Sequence, residues 1–310
     1  MTEKQITDTI MMVRPAHFGY NPQTAASNAF QDGETDLNQS EIEILARQEF
    51  DQFVQLLRQA NIRVIVIQDE EQVTKYDAVF VNNWFSSHLD GTVITYPMFA
   101  TMRRLERREE IFNMLATEFD YKTRLRLEVH EDYDAFLEST GSVILDRPNR
   151  LAYACRSIRT NEAVMDVFCQ KMGYEKILFT ATDENDLDIY HTNVMMALGE
   201  NFVVICLEVV RDSQEWAMLH RRFEETNKTI IEITYEQMAA FAGNMLQVRS
   251  ASGDTYLVMS EQAYRSLTVQ QIEQIEQFTN ILYSPLYIIE QFGGGSARCM
   301  MAEIFLPKKA

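Results

Sequence analysis

Apolar and polar positions follow two rhythms along this chain. In "SEIEILARQEFDQFVQLLRQA", Ile42, Leu45, Phe50, Phe53 and Leu57 recur near one face at helical spacing, and Ser40 with Glu43 three residues on has the form of a capping box. The run that follows, "NIRVIVIQD", is apolar and β-branched and predicts a strand. After Pro97 a charged stretch, "MRRLERREEIFNMLATEF", predicts a second helix leading into the extended run "TRLRLEVH". Helix and strand alternate, the pattern of an α/β chain.

A longer rhythm lies over this one. Small or polar residues precede a short apolar strand, then a Gly/Asp/Asn turn, then a second apolar strand. The block occurs as "NNWFSSHLDGTVITYPM", "STGSVILDRPNRLAYACRS", "HTNVMMALGENFVVICLEV", "GNMLQVRSASGDTYLVMS" and "GGGSARCMMAEIFLP". The starts, Asn82, Ser139, His191, Gly243 and Gly293, lie about 50 residues apart, a period typical of repeats that bury their apolar faces against neighbours. The last copy lacks its second strand, which "TIMMVRP" from the N-terminus would supply, closing a ring without sheet edges. In such a ring the five polar lead-ins point into one central pocket. No Pro/Ser/Gly-rich linker or charge block divides the chain, so residues 1–310 are expected to form one domain.

Charge and cysteine usage narrow the function. A net charge of -18 opposes binding to nucleic acid or to anionic membranes. The N-terminal "MTEKQITDTI" has neither the basic start nor the apolar core of a signal peptide, and "FVVICLEVV" is short, so a cytoplasmic protein is expected. Cys155, Cys169, Cys206 and Cys299 show no C-x-x-C spacing and are read as reduced thiols. His17, His88, His130 and His220 lack metal-site spacing, and the triple glycine lacks the Lys-Ser/Thr of a phosphate loop; neither a metal nor a cofactor is expected.

The lead-ins carry Asn82 and Asn83, Glu138, His191 and Asn193, Asn244, and Cys299. Taken singly, Cys299 reads as a buried thiol or a nucleophile, His191 as a structural group or a catalyst, and Glu138 as a surface carboxylate. At equivalent points of three repeats they form an activated-thiol set: the thiolate attacks, the imidazole moves protons and the carboxylate orients it or holds substrate.

The segments "VRPAHFGYNPQTAASNAFQ", "NNWFSSHLDGTVITYPM", "RRLERR", "ESTGSVILDRPNRLAYACRSIRT", "IYHTNVMMALGENFVVICLE" and "GGGSARCMMAEIFLP" resemble the pentein, or guanidino-group-modifying, superfamily of amidinotransferases, arginine deiminases and dimethylarginine hydrolases, and more closely its citrulline-utilisation branch. The resemblance implies an α/β five-bladed propeller of pseudo-fivefold ββαβ repeats, a cofactor-free site, Cys299 as nucleophile, His191 as acid/base and Glu138 as the carboxylate. It also implies that Arg159, and Arg107 in "RRLERR", bind the substrate's α-carboxylate; Arg107 reads equally as part of a solvated helix face.

The chain departs from that family where deiminases carry carboxylates that grip a guanidinium: Asn83 and Asn193 stand there instead. A guanidinium is cationic and donor-only, whereas a ureido group has a carbonyl acceptor beside its N–H donors and matches an amide. With Asn83, Asn193 and Asn244 as substrate contacts, the expected reaction is hydrolysis of citrulline to ornithine, carbon dioxide and ammonia. An arginine deiminase-like hydrolase or amidinotransferase, with Asp90, Asp146 or Asp188 refilling the clamp, and a non-catalytic binding protein are the alternatives.

Overall fold

The computed structural model describes residues 3–309. The apolar runs form five three-stranded sheets built to one plan: a short first strand antiparallel to a second, and the second parallel to a third reached through a helix-bearing crossover. In chain order after the first strand, β1 (Thr9–Arg14), and its parallel partner β2 (Arg63–Gln68), the sheets are β3 (Phe85–Ser87), β4 (Thr92–Thr95) and β5 (Thr123–Arg126); β6 (Ile144–Asp146), β7 (Leu151–Cys155) and β8 (Glu175–Phe179); β9 (Met196–Leu198), β10 (Phe202–Ile205) and β11 (Thr229–Glu232); and β12 (Leu246–Arg249), β13 (Thr255–Ser260) and β14 (Asn280–Ser284). The final strand, β15 (Ala302–Glu303), pairs antiparallel with β1, Ile10 opposite Glu303 and Met11 opposite Ala302. The expected closure by "TIMMVRP" is therefore present, and the five units form the pentein propeller.

Closure explains the burial pattern. First strands of successive blades approach one another around the axis, β15 with β3, β6 with β9 and β9 with β12. Those at β3, β6 and β9 are buried at every residue, so both faces are apolar or carry paired polar groups. Outside the sheets, apolar helix faces seal the core: the helix Gln39–Gln59 buries Ile42, Ala46, Phe50, Phe53, Val54 and Leu57.

Two local expectations are corrected. The long helix is capped by Asn38, whose side chain accepts from the Glu41 N–H while the Glu41 carboxylate accepts from the Asn38 N–H; Ser40 and Glu43 lie inside it. The charged stretch after Pro97 is two elements, a tight 3-10 segment Thr101–Glu106 and an α-helix Glu109–Glu118, and the strand that follows stops at Arg126. Residues three apart eclipse in a 3-10 turn, which puts Arg103 and Glu106 on one side. Both are buried and paired.

Candidate active site

Each lead-in folds as a single helical turn just before its blade's first strand: Val81–Asn83, Ser139–Ser142 and Thr192–Met195. The turn re-aims side chains that a continued strand would send to alternate faces of the sheet. Cys299 sits in a comparable turn, its N–H bonded to the Ser296 carbonyl at 3.0 Å. The turns are packed too closely for larger residues. A Cβ on Gly141 would stand 2.4 Å from Asn83 Nδ2 and 2.9 Å from His191 Nδ1, so a glycine lets two lead-ins meet. In the triple glycine, Gly293 and Gly295 lie under the Phe80 ring and Gly294 takes a φ of +60°. Close backbone approach beside the thiol is thus the role of that run.

Cys299 is 4 % exposed, and its Sγ receives two amide contacts, from Asn244 Nδ2 at 3.2 Å and from Asn193 Nδ2 at 3.4 Å. His191 and Cys299 line the same small cavity. His191 Nε2 bonds Glu138 Oε2 at 2.8 Å, leaving Nδ1 as the ring nitrogen free of the carboxylate. Burial pulls the imidazole down to about 4 against the opposing pull of Glu138, so it is neutral near pH 7 and ready to take a proton. Burial also pushes the Glu138 carboxyl up, but Arg159 and the His191 hydrogen bond outweigh it and hold the group at about 2. Glu138 is further fixed by the Phe99 N–H at 3.0 Å and by Arg159 Nη1 at 3.5 Å. It positions His191.

The remaining polar wall holds charges absent from the lead-ins. Asp77 lines the cavity; its Oδ2 accepts from Asn21 Nδ2 at 2.7 Å and Thr24 Oγ1 at 3.1 Å, while its Oδ1 is buried without a partner. Arg103 also lines it, forked onto Glu106 and donating from Nη1 to Asn83 Oδ1 at 2.7 Å. That bond fixes the Asn83 amide orientation and turns Nδ2, also unpartnered, away from Arg103. Behind this wall, Asn193 Oδ1 and Asn82 Oδ1 are also buried without a partner, though neither residue lines the cavity. Over the cavity lies the segment Asn21–Gln31. Asn28 Nδ2 donates to the Gly294 carbonyl at 3.1 Å and Arg159 holds Ser27 and the Thr24 carbonyl, so the enclosed space is only about 10 Å³. An amino acid enters only if this segment moves.

Cys299, His191, Asn83 and Arg159 line the cavity, and Glu138 stands directly behind His191. Asn193 and Asn244 contact the sulfur, and Asn244 is fully used: Nδ2 also donates to the Asn193 carbonyl and Oδ1 accepts from the Arg298 N–H. Arg107 lies elsewhere, forked onto Glu131 with both bonds at 2.8 Å. From the same "RRLERR" run it is Arg103, four residues earlier, that reaches the site. Asp90, Asp146 and Asp188 do not line the cavity; Asp146 pairs with Lys228. Asp77 was not anticipated, because "KYDAVF" reads as an ordinary approach to a turn; the signal was its place six residues before Asn83.

The fold recurs in solved structures. The N-terminal domain of ArgZ, an arginine dihydrolase from the ornithine-ammonia cycle in cyanobacteria, superposes with a TM-score of 0.74 at 17 % identity, over 98 % of this chain and 100 % of that domain. Unliganded AgrE gives 0.75 at 16 % identity over 97 % of this chain; the matched part is 40 % of the AgrE chain. A dimethylarginine dimethylaminohydrolase adduct with S-methyl-L-thiocitrulline gives 0.64 at 16 % identity, over 96 % and 99 % of the two chains. No curated protein matches the sequence. A family model does, and it spans residues 14–306, from the last residue of β1 to past β15, taking in four whole blades, β2 and β15 of the fifth, and every residue of the cavity wall. On that match the chain belongs to the family described as N,N dimethylarginine dimethylhydrolase, eukaryotic, within the pentein superfamily of guanidino-modifying enzymes.

Proposed function

We propose that this protein is a cysteine-dependent hydrolase of a C–N bond in a small ureido or guanidino amino acid, and that within this class it acts on citrulline, as in the citrulline-utilisation branch. The observation that carries the finer reading is the buried, unpartnered Asn83 Nδ2. It is a donor in need of an acceptor, and leaving it unmet costs roughly 1–3 kcal/mol. A guanidinium has no acceptor to offer; the ureido carbonyl does. The open acceptors, Asn193 Oδ1 and Asp77 Oδ1, suit the ureido N–H groups.

The reaction runs on the chain's own groups. The Cys299 proton passes to His191, and the thiolate adds to the ureido carbon. The carbonyl oxygen, now anionic, is met by Asn83 or by backbone N–H groups of the glycine run. His191 then gives its proton to the δ-nitrogen as the C–N bond breaks, releasing ornithine and leaving an S-carbamoyl adduct on Cys299. Water, deprotonated by His191, cleaves that adduct to carbamate, which decomposes to carbon dioxide and ammonia. Arg159 and Arg103 are the cations available for the substrate carboxylate once the covering segment moves.

One observation favours a guanidino substrate: the free oxygen of Asp77, a carboxylate facing the cavity. Single-turnover reactions with citrulline and with arginine, scored for ornithine, citrulline and ammonia, separate the two readings. Ornithine and ammonia from citrulline, with arginine inert, are expected; citrulline accumulating from arginine would return the chain to the deiminase chemistry. Asn83→Asp should lower turnover of citrulline at least ~10-fold by removing the donor, consistent with the cost of an unmet hydrogen bond.

A further inference from the structure

A second cavity of about 1000 Å³ lies on the other side of the covering segment and is separate from the catalytic pocket, with Asn28 and Tyr190 in the wall of both. It is bounded by residues 25–30 of that segment, the loop 183–190, the helix Tyr235–Ala239 and the helix Tyr287–Gly293. Five carboxylates line it, Asp183, Glu184, Asp188, Glu236 and Glu290, and among the described residues no Lys, Arg or His does. The nearby guanidinium groups are already engaged, Arg211 with Asp186 and the Asp183 carbonyl, Arg159 with Glu138, Ser27 and the Thr24 carbonyl.

A row of acids on a surface is ordinarily solvated and means little. Glu290 makes this one different. It is 2 % exposed; Oε1 accepts from Ser296 Oγ at 2.5 Å, and Oε2 is buried with no partner although the residue lines the cavity. Burial pushes the carboxyl up to about 7, against the opposing hydrogen bonds of Ser260 and Ser296. An unmet carboxylate oxygen at a cavity wall asks for a donor, and a cationic one satisfies it best.

The remaining wall defines the ligand further. Among the described residues no three carboxyl groups stand close enough to hold one metal ion, so the charge is spread for an extended partner. Tyr190, Tyr235, Phe241 and Tyr287 offer aromatic surface that takes methylene stems and cationic heads together. No basic side chain is present to take a carboxylate, which disfavours a zwitterionic amino acid. We propose that this cavity is a binding site for a linear organic polycation of the alkyl polyamine class, with one ammonium on Glu290 and others on the rim acids Glu184, Asp188 and Glu236.

The test uses spermidine as probe, titrated calorimetrically into the full chain at 0.15 M salt, where exposed charges are screened beyond ~8 Å. Saturable binding is expected, weakened about tenfold or more by Glu290→Gln and by the rim pair Glu184→Gln/Glu236→Gln, in line with charge-assisted contacts of ~1.5–3 kcal/mol each. The pair Glu224→Gln/Glu276→Gln, which removes as much charge from exposed sites away from the cavity, should change it less than about twofold. The rim variant keeps the test sharp if Glu290→Gln does not fold. Equal weakening by rim and control pairs would show diffuse attraction to an acidic protein and overturn the site. So would loss of binding after iodoacetamide blocks Cys299, which would place spermidine in the catalytic pocket.

Discussion

The two cavities on either side of the segment Asn21–Gln31 are built on opposite plans. The inner one, which holds Cys299 and His191, encloses about 10 Å³, and its acids and bases are paired: Glu138 with Arg159 and His191, Arg103 with Glu106. The outer one is a hundred times larger and its charged lining residues are of one sign. The difference shows where precision costs most. In a closed, low-dielectric pocket an unpaired charge is expensive to keep, so most of its ions are matched, and of the described residues lining it Asn83 Nδ2 and Asp77 Oδ1 stay without a partner. Outside, water does the balancing, and Glu290, deep in the wall, is the exception.

The sharpest break of the inner plan is Cys299→Ala, expected to remove turnover by more than ~10⁴-fold, with unchanged far-UV circular dichroism, since it deletes the proposed nucleophile. Retained activity would exclude the thiol from the chemistry. Next comes His191→Asn, expected to cost roughly 10²–10⁴-fold in kcat, the usual range for a general acid/base.

The same variant separates the pH terms in stability. His191 is held at about 4 against an ordinary 6.5, so its contribution is intact above pH 6.5 and lost as pH falls toward 4, where the unfolded imidazole takes a proton that the folded one refuses. Glu138, held at about 2 against 4.5, contributes above pH 4.5 and loses that contribution as pH falls toward 2. Glu49, Glu106 and Glu290, each pushed up to about 7 by burial, act in the opposite sense, their contribution shrinking as pH rises through 7. The difference between His191→Asn and the parent in urea unfolding at pH 7.5 and pH 5 isolates the histidine. The variant should lose less stability than the parent on acidification, and an equal loss would mean that the fold does not depress the His191 pKa.

Arginines sharpen the comparison further. Arg159→Ala should destabilise by about 3–5 kcal/mol because it strands Glu138 as a buried charge, and should raise KM as well. Arg107→Ala, which opens a half-buried fork to Glu131 away from the pocket, is expected to cost about 1 kcal/mol, with kcat/KM within about threefold of the parent. A large rise in KM there would move the substrate carboxylate to a site the closed structure does not display.

The order of strands, the number of blades and the use of the N-terminal strand for closure were legible in the residues themselves. A 50-residue recurrence of polar lead-in, strand, turn and strand reports a repeated physical unit, and each unit must bury the same faces. The thiol, imidazole and carboxylate were legible for the same reason: they occupy equivalent points of that unit. So was the amide character of the pocket, since Asn83 and Asn193 sit in the lead-ins. What lay outside the repeat was not. Which arginine of "RRLERR" turns inward depends on a 3-10 segment where the residue pattern predicts α-helix, and Arg103 rather than Arg107, four residues on, faces the site.

Asp77 and the covering residues Asn21, Thr24 and Asn28 reach the site across 53 to 266 positions of chain, through bonds that exist only once the ring has closed. The local pattern fixes what a segment buries and therefore the architecture. The tertiary structure alone decides which polar atoms remain unmet inside it, because an unpaired Asn83 or Glu290 is defined by every other group that failed to reach it.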